Sequence, residues 1–268
     1  MAKSRREPEH ETGSAAALRI QTLGGFRVRR AGVEIDATAW QREKALHLLQ
    51  FLVTMRRQSF HKEQIIDQLW PHIDPAAGDR DFKVALSAIH RVLEPEREPR
   101  SEPRFVRRHG LAYGLRLDQA WVDADAFESL VAAGSQAAPH DAETAIDDYR
   151  RAIELYAGDY LPERRYEDWT SAERERLQTL ALSTMTRLAD LLLERSPLES
   201  LRLCQRVLSI DAVWEDAYRT QMRAYLAQGN RPMALRSYQQ CVETLQREFN
   251  VVPLPETQAV YERIKREA

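Results

Sequence analysis

The sequence is poor in the features that staple small secreted domains or anchor chains in bilayers. Two cysteines in 268 residues, Cys204 and Cys241, are too few for a disulfide framework or a four-ligand zinc site. Both lie in apolar helical patterns, so they read as core thiols of a reducing cytoplasm. No stretch approaches about 20 uninterrupted apolar residues, and the opening MAKSRREPEHETGSAAALRI has no apolar run suited to secretion. A soluble intracellular protein with no membrane partner is expected. The GxxxxGK, HExxH and GxSxG patterns are missing too, and with them the local signs of ATPases, metalloproteases and hydrolases. Neither a cofactor nor an enzymatic activity is therefore expected.

What is present is a chain long enough for two folding units. Its net charge of −2 conceals an asymmetry. Residues 18–117 carry 18 Lys+Arg against 12 Asp+Glu, net +6, whereas residues 118–268 carry 18 against 26, net −8. A basic segment beside an acidic one suggests that the first alone meets a polyanion. Residues 1–17 are polar and rich in small side chains, which predicts a disordered tail.

Residues 18–36 carry β-branched and aromatic side chains broken by Gly24, Gly25 and Gly32, a pattern of short antiparallel strands. The period then changes. Ala45, Leu46, Leu48, Leu49, Leu52 and Val53 recur at helical spacing over 42–55, as do Ile65, Ile66 and Leu69 before a stop at Trp70 and Pro71. A third helix is predicted from Asp79 to Leu93, with Phe82, Leu86, Ile89 and Leu93 as its buried stripe. Two strand-like pieces follow, RFVRR and AYGLRL, joined through His109 and Gly110. Strands, three helices and a closing hairpin are the order of a winged helix.

Beyond Asp118 the chain reads as helical almost to its end. Stepping back 34 residues from Ala234, Tyr238 and Cys241 lands on Ser200, Cys204 and Val207, while Met222 and Tyr225 map onto Leu188 and Leu191. Ala145, Tyr149 and Ala152 repeat the spacing, and the 55 residues to the next unit leave room for an extra helix. A 34-residue helix-turn-helix period is that of the tetratricopeptide repeat, against which stands an unrelated helical bundle. The expected fold is mainly α: an α+β winged helix-turn-helix over 18–117, then an all-α tetratricopeptide-like domain over 118–268.

With that stripe turned inward, the third helix presents Arg80, Val84, Ser87 and Arg91 outward, with Lys83 and Ala88 on the flanks. Such a face suits a major groove: arginine bonds both acceptors of guanine, Lys and Ser hold phosphate, and small apolar groups touch a thymine methyl. The competing reading is the polar side that any amphipathic helix has. Arg104, Arg107 and Arg108, just before the Gly110 turn, favour the first, since a wing there approaches the neighbouring minor groove. Asp79 and Asp81 oppose it locally, although the helix dipole favours acids near the start and they are placed to orient Arg80.

The whole of 18–268 resembles one family. LGGFRVRRAG, QREKALHLLQFL, IIDQLWP, FKVALSAIHRVLEP and GLAYGLRL resemble the OmpR-type winged helix of the antibiotic-regulatory-protein (SARP) activators. YAGDYLPE, YEDWTSAERERLQ, LCQRVLSIDAVWEDAYRTQMRAYLAQGNRPMALRSYQQC and PLPETQAVYERI are similar to their bacterial transcriptional activator domain. The resemblance implies a dimer or higher homo-oligomer on direct repeats of double-stranded promoter DNA, and contact with RNA polymerase through the loop Pro71–Gly78. It places Arg80, Lys83, Ser87 and Arg91 on the recognition helix. His61 stands where a small hydroxyl often caps the second helix, and His90 where arginine is common. Many similar activators carry a fused ATPase, and this chain has none. No phosphoacceptor domain precedes the winged helix, and Met1 with its tail points to a stand-alone short activator.

Other chemistry is weaker. Asp123 and Asp125 read as caps of a helix beginning near Ala126 sooner than as metal ligands. His72, His109 and His140 are isolated in loops, and Trp169 with Glu173 and Arg174 reads as helix packing. Tyr218, Tyr225 and Tyr238 are candidates to line a groove for a peptide or small ligand, yet their repeat positions place them in the core first. A second functional reading remains: an adaptor whose winged helix binds protein while the repeats recruit another chain.

Overall fold

A computed structural model describes residues 17–40 and 43–266. The tail expected over 1–17 lies outside this range except for Ala17, whose carbonyl accepts the amide of Ala31 at 3.1 Å. The chain divides into two compact units. One comprises the described residues up to Asp123 together with Glu163–Ser171; the other comprises Ala124–Pro162 and the described residues from Ala172 onward.

In the first unit β1 (Leu18–Gln21) pairs antiparallel with β2 (Arg27–Arg30), which pairs with β3 (Val33–Glu34). Alternation sets the faces, with Leu18 and Ile20 buried and Arg19 and Gln21 turned away. Helix α1 (Glu43–Thr54) buries Ala45, Leu48, Leu49, Leu52 and Val53 as its spacing predicts. It also buries Gln50 and Phe51, because residues 163–171 cover that side. Gln50 exchanges hydrogen bonds with Glu163 and Arg164, each 2.8 Å, and Phe51 meets Trp169 edge-on at 5.6 Å.

Strand β4 (Phe60–His61) leads into α2 (Lys62–Leu69) and α3 (Pro75–Leu93), followed by the hairpin β5 (Val106–His109) and β6 (Ala112–Leu115). The three strands form a sheet in the order β4-β6-β5. Helix α3 begins four residues before the predicted Asp79. Asp74 accepts the Ala77 amide at 3.1 Å and Pro75 stands at the first helical position, a start signal the apolar spacing does not contain. Part of the expected loop Pro71–Gly78 is therefore helix. Gly78 is needed where α2 nears α3, since a β-carbon there would lie 2.7 Å from an Ile66 methyl.

A strand, β7 (Ala120–Val122), runs parallel to β1 where helix was expected. Three residues show no period, and the partner lies about a hundred residues upstream, so only the fold reveals it. The residue after it, Asp123, is also not the cap expected for a helix at Ala126: α4 already begins at Asp123. Its carboxylate accepts the Thr22 amide at 2.8 Å, the Leu23 amide at 2.9 Å and the Thr22 hydroxyl at 2.6 Å.

The helices of the second unit are α4 (Asp123–Ala137), α5 (Ala142–Leu155), α6 (Asp168–Leu191), α7 (Pro197–Ile210), α8 (Glu215–Ala227), α9 (Arg231–Phe249) and α10 (Pro255–Arg266), with Asp123 and the first turn of α6 belonging to the first unit. Helices α7, α8 and α9 pack in succession, and α10 closes on α8 and α9. The repeat is visible in burial. Ser200, Cys204 and Val207 on α7, and Ala234 and Cys241 on α9, are fully buried, as are Ala145 and Ala152 on α5. The 24-residue α6 is the extra helix the spacing called for. Gly134 on α4 belongs to the same small-against-large scheme, since a β-carbon there would sit 2.7 Å from the Tyr149 ring. Burial raises the thiols of Cys204 and Cys241 to about 12.

Candidate nucleic-acid interface

On α3 the side chains of Arg80, Lys83, Val84, Ser87 and Arg91 are all exposed. At 100° per residue they occupy an arc of about 100°, and Arg80 and Arg91 stand about 16 Å apart along the axis. Phe82, Ile89 and Leu93 are buried as predicted, while Leu86 is only half-buried. Ala88, expected on the flank, is buried, as are Ala85 and Val92. Packing of α1 against α3 widens the inner stripe to that side and narrows the outward face.

The acids on the first turns take lysines as partners. Asp79 accepts from Lys62 at the start of α2 and from Lys83 one turn along at 2.7 Å, and Asp81 pairs with Lys44 of α1. Hydrogen bonds from Lys62 and Lys83 hold the Asp79 carboxyl down to about 2. Lys44 and Lys62, with Lys44 lying 5.1 Å over the Trp70 ring, join the cationic surface although periodicity gave no sign of them. Their partners lie 37 and 17 residues away, a relation that only folding creates.

At its other end α3 is tied to the hairpin. Glu94, buried, accepts the amides of Arg104 at 2.9 Å and Phe105 at 3.4 Å. The Phe82 ring meets Tyr113 of β6 edge-on at 4.9 Å. His90 faces this junction and not the open side. It is half-buried, and burial together with nearby Arg97 lowers its pKa. At the start of α2, where His61 is the capping residue, the Gln64 side chain accepts the His61 amide at 3.0 Å.

The three arginines expected on one strand separate. Arg104 precedes β5 and donates to Gln119 at 3.1 Å. Arg107 donates to the Pro103 carbonyl at 3.4 Å and lies 3.7 Å from Glu102. Arg108 is registered opposite Tyr113, and directly opposed residues share a sheet face. It therefore lies on the face that meets α3, and its Nε donates to the Gly110 carbonyl at 2.6 Å. Arg108 thus shares the hairpin face that meets α3, Arg107 lies on the other face and Arg104 stands at the hairpin base.

Away from this surface the remaining candidates take structural places. His72, His109 and His140 are exposed, and no cluster suited to a metal occurs among the described residues. Trp169 is buried against His47 and Phe51. Tyr218 is buried and its hydroxyl donates to the Ala212 carbonyl at 3.1 Å, while Tyr225 and Tyr238 pack partly buried around Met222, Ala234 and Ile264. Among the described residues no helix is long and apolar enough to cross a membrane.

Comparison with known proteins adds two findings. The family model of the bacterial transcriptional activator domain matches residues 122–265. A solved structure of Mycobacterium tuberculosis EmbR in complex with a low affinity phosphopeptide is similar in fold, with a TM-score of 0.81 at 19% identity. The match covers 94% of this chain and 65% of that one, so this chain spans about two thirds of its neighbour's length. No curated protein matches in sequence.

Proposed function

The chain belongs to the bacterial transcriptional activator domain family, and from that premise we propose that it is a sequence-specific DNA-binding regulator whose residues 18–117 read a promoter. One observation carries the reading. Arg80, Lys83, Ser87 and Arg91 stand together on the outward face of a helix whose inner face is sealed by Phe82, Ile89 and Leu93. Such a cylinder fits a major groove, with the arginines on guanine edges and Lys83 and Ser87 on phosphates. Arg108 lies on the hairpin face beside the helix and meets the flanking backbone. The acidic helical segment, net −8 over 118–268, stays off the duplex and serves oligomerisation on repeated sites. The connection between α2 and α3, Pro71–Asp74, contacts RNA polymerase.

The test is binding to fragments that the wild-type protein selects from genomic DNA. Arg80→Ala with Arg91→Ala should remove discrimination, each lost bidentate contact weakening specific binding by about 1–3 kcal/mol. A folded double variant that binds its best fragment as tightly as wild type shows the helix assignment to be wrong.

A further inference from the structure

The β5–β6 hairpin closes in two residues, Gly110 and Leu111, since His109 pairs directly with Ala112. Gly110 takes the positive φ of +62° that the first central position of such a turn demands. The second position needs no apolar side chain and ordinarily carries a small polar one. Here it is leucine, 60% exposed, while Tyr113 and Leu115 further along the strand pack inward.

A cation stands beside this side chain: Arg108 folds over the turn, its Nε donating to the Gly110 carbonyl at 2.6 Å. An apolar tip with a cation beside it suits the minor groove of a duplex, whose rims are two phosphate rows and between whose base steps an apolar side chain can insert.

The tip is also held rigidly to the recognition helix. The Leu111 carbonyl accepts the Lys62 amide at 3.3 Å, the Lys62 ammonium pairs with Asp79 of α3, and Asp79 in turn holds Lys83. Strand β6 is flanked by β4 and β5. A side chain fixed in this way can do mechanical work on a base stack, which a loose tip cannot.

We propose that Leu111 is an apolar wedge that enters the minor groove next to the site read by α3 and unstacks one base step, bending the duplex. The proposal rests on the DNA-binding reading above. Flexible pyrimidine–purine steps are the sequences on which such a wedge acts at least cost.

The probe is a duplex selected by wild-type protein from genomic DNA, carrying end fluorophores and 2-aminopurine at successive steps beside the footprint. Wild type should brighten 2-aminopurine at one step and shorten the end-to-end distance. Leu111→Ala should protect the same footprint with about five- to twentyfold weaker binding, without the brightening and with a smaller bend; Leu111→Met should retain both signals. A folded Leu111→Ala protein that matches wild type in affinity, brightening and bend overturns the wedge, and if Arg80→Ala with Arg91→Ala abolishes binding in the same assay, the DNA-binding reading stands without it. Failure of wild type to protect any DNA overturns both.

Discussion

Asp79 holds two lysines at once, and that sets what the outward face of α3 offers a phosphate. Its carboxyl, held down to about 2, stays ionised at neutral pH, so on the proposed DNA-binding reading Lys62 and Lys83 would meet a duplex already paired. On that reading binding would exchange a carboxylate for a phosphate, and the exchange would suppress binding to indifferent duplex. Asp79→Asn should therefore tighten binding to random-sequence DNA and steepen its salt dependence, by up to about one in slope for each lysine released. Titrating a random duplex over a salt series measures this; an unchanged affinity and slope would show that the pairs do not limit binding. The Asp79–Lys83 pair is legible as an i,i+4 spacing on α3, whereas the pair with Lys62 is not, because its members sit on different helices. The exposure of Arg80, Ser87 and Arg91, in contrast, follows from the period of Phe82 and Ile89 alone.

Among elements, β1 and β7 show how much rests on one acid. Asp123 is buried and takes up three donors, the amides of Thr22 and Leu23 and the Thr22 hydroxyl, just past the end of β1. Asp123→Ala strands them in the interior, which should cost about 3 kcal/mol or more; Asp123→Asn, which keeps one acceptor oxygen, should cost less. Urea unfolding followed by circular dichroism gives both values, and equal midpoints for wild type and Asp123→Ala would contradict the account. The elements with a long period, α1, α3 and the repeat helices α7 and α9, were readable because burial imposes a rhythm on many residues. Strand β7 and the early start of α3 were not, because three residues have no rhythm and a cap is a local bond outside the apolar stripe.

Across the whole molecule, pH acts through two sets of groups. His47, beside Arg164, and His90, beside Arg97, have their pKa lowered, chiefly by burial. The unfolded chain takes up those protons near 6.5 and the fold does so only at lower pH, so stability falls as pH drops below about 6.5. Asp36, Asp79, Asp118 and Asp141 are held low by hydrogen bonds. Their contribution is complete above the unfolded value of 3.8 and is lost as pH falls through their folded values, toward 2 for Asp79. Urea midpoints should be level between about pH 7 and 8, decline between 6.5 and 5, and decline again below 4. Identical midpoints at pH 7.5 and pH 5 would count against the histidine step.

The amino-acid order by itself determined the winged helix followed by helical repeats, the inner stripe of α3 and the opposed charges of the two segments, because each is a statement about periodicity or composition. Tertiary structure alone decided that residues 163–171 pack with the winged helix, that β7 pairs with β1 and that Asp79 and Asp81 take Lys62 and Lys44 from other helices. Those are relations between positions far apart in the chain, and only a folded backbone brings such positions within bonding distance.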